Sequence, residues 1–366
     1  MKFDDVKKMA LERSDTIFAA GGVFEKSFCP SQSSFISDFT MFSDYDNTMG
    51  DISLRQHYLA YSKLPLSIDN IMVTSGATAA LWAAIRMSTQ GERKEVIVLT
   101  PCWGTYSDII TNSGATAITV SACAANGWHH SIDCIENHIS SRTAAILFAN
   151  PSNPTGIIES IDWLGSLIQL AKVHGVLLIA DETYYDLAYD TTSTSSITLC
   201  KEWYDVGVCI RSMSKYFLAP GLRVGFLLSS PQMIIKMHSV LLGTYLAPST
   251  ISQKHADVIL NQNQSYRDHI YTCHARLHKL LNSISTNGNQ AIPDAAFFVF
   301  MQIKGKSGIP VDAITLFTDT GILGRPGSSF GDSFSSYIRF NLAIDAVKFD
   351  EMCKRLERYT KPRTYA

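Results

Sequence analysis

The sequence has no block of one charge, and charged residues are scarce throughout: they make up 17% of 366 residues, below the roughly 25% usual in soluble proteins. Lys plus Arg number 31 and Asp plus Glu 33, a formal net charge of −2, so no basic stripe offers itself to nucleic acid or to an anionic membrane surface. Long apolar runs are missing too. The most apolar stretches, residues 95–99, 144–149 and 176–180, have the length of buried strands and fall far short of the roughly 18 residues of a membrane span. The first turn of sequence mixes Lys2, Lys7, Lys8 and Arg13 with Asp4, Asp5, Glu12 and Asp15 and holds no apolar core of a signal peptide, so the expected location is the cytoplasm. None of the eight cysteines falls in a C-x-x-C pair and several, such as Cys209, lie inside apolar runs, which implies reduced core thiols rather than a disulfide frame. The segment Ser75-Gly-Ala-Thr78 lacks the second and third glycines of G-x-G-x-x-G, which removes the dinucleotide fingerprint and with it a nicotinamide dehydrogenase.

What is present is apolar mass: 46% of residues are hydrophobic, on a chain long enough for about two domains. Short β-branched runs at 71–74, 95–99, 117–120, 144–148, 176–180, 206–210 and 224–228 alternate with helical periods at 77–89, 162–174 and 231–243. This alternation predicts an α/β fold, a large three-layer α/β/α domain whose mostly parallel seven-stranded sheet is covered by helices on both faces. Beyond Pro248 a long helical stretch, 250 to about 285, leads into Ala296-Phe-Phe-Val-Phe-Met301 and a turn-rich segment around Gly324-Arg-Pro-Gly327, the texture of a smaller α+β domain. The expected division is an N-terminal arm and part of the small domain at 1–44, a large cofactor-binding-type domain at 45–247 and a small α+β domain at 248–366. The Thr- and Ser-rich stretch 191–196 reads as a surface loop.

In open α/β sheets ligands bind beyond the carboxyl ends of the strands, so residues just past each apolar run come first. Thr74-Ser-Gly-Ala-Thr78 opens a helix whose free amides suit a phosphate. Asp181 leaves an apolar run, where a buried carboxylate needs a cationic partner or serves as a helix cap. Lys215 follows another run in Ser212-Met-Ser-Lys215, where desolvation favours a neutral, nucleophilic amine. Asn150-Pro-Ser-Asn-Pro-Thr-Gly156 is a loop stiffened by two prolines. His274 and His278 stand four apart on a helical stretch without a third ligand, and His129-His130 sits in a polar turn; both read as solvated rather than metal-binding.

Together with Pro220-Gly-Leu-Arg-Val-Gly225, these segments make the chain resemble the fold type I pyridoxal-phosphate enzymes of the class I/II aminotransferase family, from about Gly50 to Ala343. The resemblance implies that Lys215 carries pyridoxal 5'-phosphate as a Schiff base and moves the substrate proton, and that Asp181 pairs with the ring nitrogen. It implies Asn153 and Tyr184 at the ring oxygen and Trp103 stacked on the ring. It places the phosphate among Ala77, Thr78, Ser212, Ser214 and Arg223, with Tyr45 reaching across a homodimer interface. Arg339, in Tyr337-Ile-Arg-Phe-Asn-Leu-Ala343, takes the substrate α-carboxylate in this reading, beside Gly21 or Gly22 and Asn153.

The implied activity is transfer of an amino group from an L-amino acid to a 2-oxo acid; elimination, cyclisation or oxidation on the same scaffold is the alternative. A regulator reading is set aside because no basic winged-helix segment accompanies the intact lysine. No arginine is assigned by motif to a substrate side-chain carboxylate; Arg325, in Gly324-Arg-Pro-Gly327, is a conceivable candidate but reads rather as a structural turn residue.

Overall fold

The computed structural model describes residues 3–28, 47–262, 265–284, 291–305 and 307–361. Seven strands form the central sheet: β2 (Ile71–Thr74), β3 (Glu95–Thr100), β4 (Thr116–Ser121), β5 (Thr143–Ala149), β6 (Leu177–Asp181), β7 (Gly207–Ser212) and β8 (Gly225–Leu228). Their order is β2-β8-β7-β6-β5-β3-β4. β8 runs antiparallel to both neighbours, and every other pairing in the sheet is parallel. Each expected run becomes a strand, its ends unmoved or shifted by at most two residues, because the β-branched apolar content that marked the runs is what a sheet covered on both faces requires.

Alternate residues of a strand face opposite layers. Met72, Val98, Leu147, Ile179, Val208 and Leu227 share a core with α3 (Ala77–Ser88), α4 (Thr105–Asn112) and α8 (Pro231–Tyr245). Val73, Leu99, Phe148, Leu178, Cys209 and Phe226 face the other way, into a core shared with α2 (Ile52–Ser62) and α6 (Ile161–His174). The helices start where the sequence supplies caps: the Ser160 and Ser230 hydroxyls accept from the amides of Trp163 and Met233, and α6 ends on Gly175 at φ 61. Two shorter helices, α5 (Ile132–Glu136) and α7 (Trp203–Val206), lie in the β4–β5 and β6–β7 connections.

A second, three-stranded antiparallel sheet is made of β13 (Arg325–Pro326), β14 (Ile338–Asn341) and β9 (Phe298–Met301). A small hairpin, β10 (Ile303–Lys304) with β11 (Pro310–Val311), and helices α11 (Ala313–Thr320) and α12 (Ala346–Thr360) complete this part. The N-terminal residues belong with it: α1 (Phe3–Glu12) leads into β1 (Ile17–Phe18), which pairs with β12 (Ile322–Leu323).

Three expectations need correction. The stretch 250–285 is not one helix but α9 (Thr250–Asn261) and α10 (Arg267–Ser283), the first packed on α2 and the second on α12. The segment around Arg325 contains a strand, not only a turn. The 191–196 stretch is exposed only at its start: Ser195 and Ser196 are buried, Ser196 bonding the Glu182 carboxylate and Ser195 the Asn150 amide, so its polarity serves internal hydrogen bonds. Among the described residues all cysteines are free thiols, Cys209 fully buried. No helix among the described residues is long and apolar enough to cross a membrane.

Candidate active site

A cavity of about 570 Å³ opens where the parallel strands end, a volume within the range of small-molecule sites. Its floor is set by the strands themselves. Thr74, Gly225 and Ser212 are neighbours across three adjacent strands, so the ends of β2 and β7 and the start of β8 meet at one point. There α3 begins on Gly76, at φ 80 and with no side-chain cap, so the first amides of the helix keep no intrahelical acceptor. A side chain on Gly225 would stand 2.6 Å from the Gly76 carbonyl carbon and 2.7 Å from the Ala77 nitrogen, and one on Gly76 would stand 2.4 Å from the Arg223 guanidinium. The absence of both side chains makes the cradle. Ala77, Thr78, Ser212, Ser214 and Arg223 line it, with Ser212 Oγ donating to Ser214 Oγ at 3.0 Å and Arg223 turned back on the Pro220 carbonyl at 3.0 Å.

Asp181 ends β6 with its carboxylate buried. Its Oδ2 accepts from Tyr106 Oη at 2.7 Å and its Oδ1 from the Thr183 amide at 3.0 Å. Burial, and then the neighbouring Asp181 charge, push the Tyr106 phenol well above its usual range, so it stays a donor. Tyr106 is a site residue that sequence reasoning passed over. Its place on the first turn of α4, close in sequence to Trp103, was the available signal. Trp103 meets the Tyr106 ring edge-on at 5.6 Å and lines the cavity.

Lys215 follows β7 and donates from Nζ to the Gly22 carbonyl at 2.8 Å. Its Nζ lies 5.5 Å from the centre of the Tyr184 ring, which is buried edge-on against Phe298. Arg339 on β14 donates to Asn153 Oδ1 at 2.7 Å and to the Gly21 carbonyl at 3.3 Å, between the rings of Phe298 and Phe330. Burial pushes its guanidinium down to about 10, and its Nε has no partner. A buried cation with an unused donor beside a cavity suits an incoming carboxylate. Of the two glycines weighed, Gly22 lines the cavity and Gly21 holds Arg339 through its carbonyl. Tyr45 lies outside the described residues.

Arg325, read from sequence as a turn residue, also lines the cavity, and it is the cross-strand partner of Arg339. The histidines fall elsewhere. His130 is not a solvated turn residue: its Nε2 reaches the Thr100 carbonyl at 3.0 Å, while His129 pairs with Glu159 at 2.8 Å. His274 and His278 face each other on α10 with their Nε2 atoms 3.0 Å apart. Among the described residues no group of three or more His, Cys, Asp or Glu could hold a metal ion.

Comparison with known proteins places the chain in a family and a fold. The chain is 28% identical over 302 residues to an aspartate aminotransferase of Thermotoga maritima, covering 82% of this chain and 78% of that one. It is 24% identical over 330 residues to aromatic-amino-acid aminotransferase 2 of Thermococcus litoralis, covering 87% and 84%. A double mutant of the aspartate aminotransferase of Thermus thermophilus superposes with a TM-score of 0.84 at 23% identity, over 98% of this chain and 96% of that one, a match of fold. The family model for aminotransferase class I and II matches residues 20–356, and the chain belongs to that family, as a pyridoxal-phosphate-dependent aminotransferase.

Proposed function

We propose that Lys215 is the residue that carries pyridoxal phosphate and that the enzyme moves an amino group from an L-amino acid to a 2-oxo acid in this cavity. The observation that carries the assignment is convergence: Lys215 and Asp181 leave adjacent parallel strands and face one cavity with Arg339 and the uncapped start of α3. The residues fit the cofactor. The cradle freed by Gly76 and Gly225 suits a phosphate, which the first α3 amides, Thr78, Ser212, Ser214 and Arg223 would hold. Asp181, fixed by Tyr106 and Thr183, would keep the ring nitrogen protonated, with Trp103 on the ring face and Asn153 and Tyr184 at the ring oxygen.

When bound, the group supplies an aldehyde that condenses with amines and a cationic ring that accepts the electrons left on the substrate's Cα. Arg339 orients the substrate by gripping its α-carboxylate with a planar fork, and Asn153 holds that fork in place. Lys215 Nζ would take the proton from Cα and deliver it to the former aldehyde carbon on the far side of the amino nitrogen; one amine serves as both base and acid. Gly22 lies across the lysine and its carbonyl steadies the amine.

The reading includes a division into a large unit at 45–247 and a small one at 248–366 joined by 1–44, supported by the pairing of β1 with β12. It includes a homodimer in which Tyr45 reaches the partner's cavity, supported by exposed Ile52 on α2 and Ile251 and Val258 on α9, two helices that pack together. It also places the enzyme in the cytoplasm. Borohydride reduction of the holoenzyme followed by peptide mass mapping tests the central assignment. The cofactor's mass is expected on the peptide holding Lys215, and a label on another lysine would refute it.

A further inference from the structure

The proposed reaction uses Arg339 for the α-carboxylate and Arg223 for the phosphate, and it leaves a third arginine in the same cavity without a task. Arg325 and Arg339 are directly opposed on the antiparallel pair β13–β14. Opposed residues on neighbouring antiparallel strands present their side chains on the same face, with Cβ atoms roughly 5 Å apart, and like charges so placed repel. Arg339 is compensated by Asn153 and by the carbonyls of Ala20 and Gly21. Arg325 is not. Among the described residues its side chain makes no hydrogen bond and no ion pair; the guanidinium's described contact is the face of Phe3, 4.5 Å from its carbon. Asp4, which acts on it only through space, is exposed and makes no ion pair with it.

Phe3 belongs to α1, which is anchored by buried Val6 and Ala10 against Phe317 and Leu323. The N-terminal helix thus backs the guanidinium with an aromatic face and leaves its donor edge free for the cavity it lines. A buried cation and a half-buried one side by side are costly unless an anion meets both.

We propose that Arg325 binds a second carboxylate, on the side chain of the amino donor, so that the preferred donor is a dicarboxylic L-amino acid of the length of aspartate or glutamate. The proposal rests on the assignment of Arg339 to the α-carboxylate made above. Cross-strand pairing brings both arginines to the wall of one cavity, which suits a short dicarboxylate with two or three carbons between its charged groups, one on each arginine. An amide in place of the side-chain carboxylate keeps the shape and loses the charge, so it leaves Arg325 unpaired.

The test compares kcat/KM for L-aspartate against L-asparagine and for L-glutamate against L-glutamine, in the wild-type holoenzyme and in Arg325→Gln and Arg325→Lys. The expected result is an acid-to-amide preference of about 100-fold in the wild type, cut about 30-fold by Arg325→Gln and less by Arg325→Lys. Calorimetry with unreactive succinate and butyrate adds a readout that needs no turnover: succinate is expected to bind the wild-type holoenzyme about tenfold tighter or more, with the gap closed in Arg325→Gln. Equal acid and amide rates in the wild type, or a loss in Arg325→Gln that falls alike on acid and amide, would overturn the proposal and return Arg325 to a structural role. Should Arg325→Gln fail to fold, the wild-type succinate preference and the Arg325→Lys ratios decide. If succinate is preferred through Arg325 while no amino acid reacts, the reading of Lys215 falls and that of Arg325 stands.

Discussion

The bond between Tyr106 and Asp181 offers a sharp test of the site because one oxygen atom carries it. Tyr106→Phe deletes that oxygen and keeps the ring that packs in the core beside Ile109 and Ile110. The lost contact is a 2.7 Å hydrogen bond from a fully buried phenol to a buried carboxylate. Hydrogen bonds to charged groups contribute about 1.5–3 kcal/mol, and a buried acceptor stripped of its donor loses that amount in full. The Thr183 amide continues to hold the other carboxylate oxygen, so the cost is not the whole stabilisation of Asp181. We expect the apoenzyme to lose about 2 kcal/mol in urea unfolding. In an Asp181→Ala background the same change should cost little, giving a coupling of about 1.5 kcal/mol or more in the double-mutant cycle. A coupling below about 0.5 kcal/mol would refute the view that the phenol holds the carboxylate.

Other consequences follow from individual contacts. Gly225→Ala drives a methyl group into the backbone of Gly76 and Ala77, so pyridoxal phosphate affinity, read by fluorescence titration, should weaken about tenfold or more, each factor of ten being roughly 1.4 kcal/mol. Glu182→Gln leaves Arg211 buried without its counter-ion, 2.6 Å away in the wild type, and should cost about 3 kcal/mol by chemical denaturation. Burial would raise the Asp51 carboxyl, but Lys254 and the Leu54 amide outweigh it and hold it below its usual value of 3.8. A carboxylate lowered in the folded state adds stability that is present above 3.8 and is lost as pH falls through its folded value. Asp51→Asn should therefore cost about 1 kcal/mol at pH 6, and the gap to the wild type should close only below 3.8, as measured by urea midpoints across that range.

The sheet was legible because each of its strands is a local signal: a β-branched apolar run such as 144–148 needs no knowledge of its neighbours to be recognised. The site was legible where residues sit just past such runs, as Asp181 and Lys215 do, since strand ends are where an open α/β sheet binds ligands. What escaped depends on register and distance. Arg325 faces Arg339 only because the chain between them folds back and pairs two short strands, a fact absent from either segment. The break between α9 and α10 has no proline or glycine to announce it; it arises because the two helices pack on different partners, α2 and α12. Ser195 and Ser196 looked like solvent-facing loop residues, yet they bond Asn150 and the Glu182–Arg211 pair from distant strands.

The most direct measurement is an anaerobic absorbance titration of the holoenzyme with single L-amino acids, followed by a 2-oxo acid, alongside Lys215→Ala. Conversion of the lysine-bound cofactor band to that of its amine form by one donor, its return with the oxo acid, and neither change in Lys215→Ala is the predicted result. Restoration of the original band with no acceptor added, or an unaltered response in Lys215→Ala, would contradict the account.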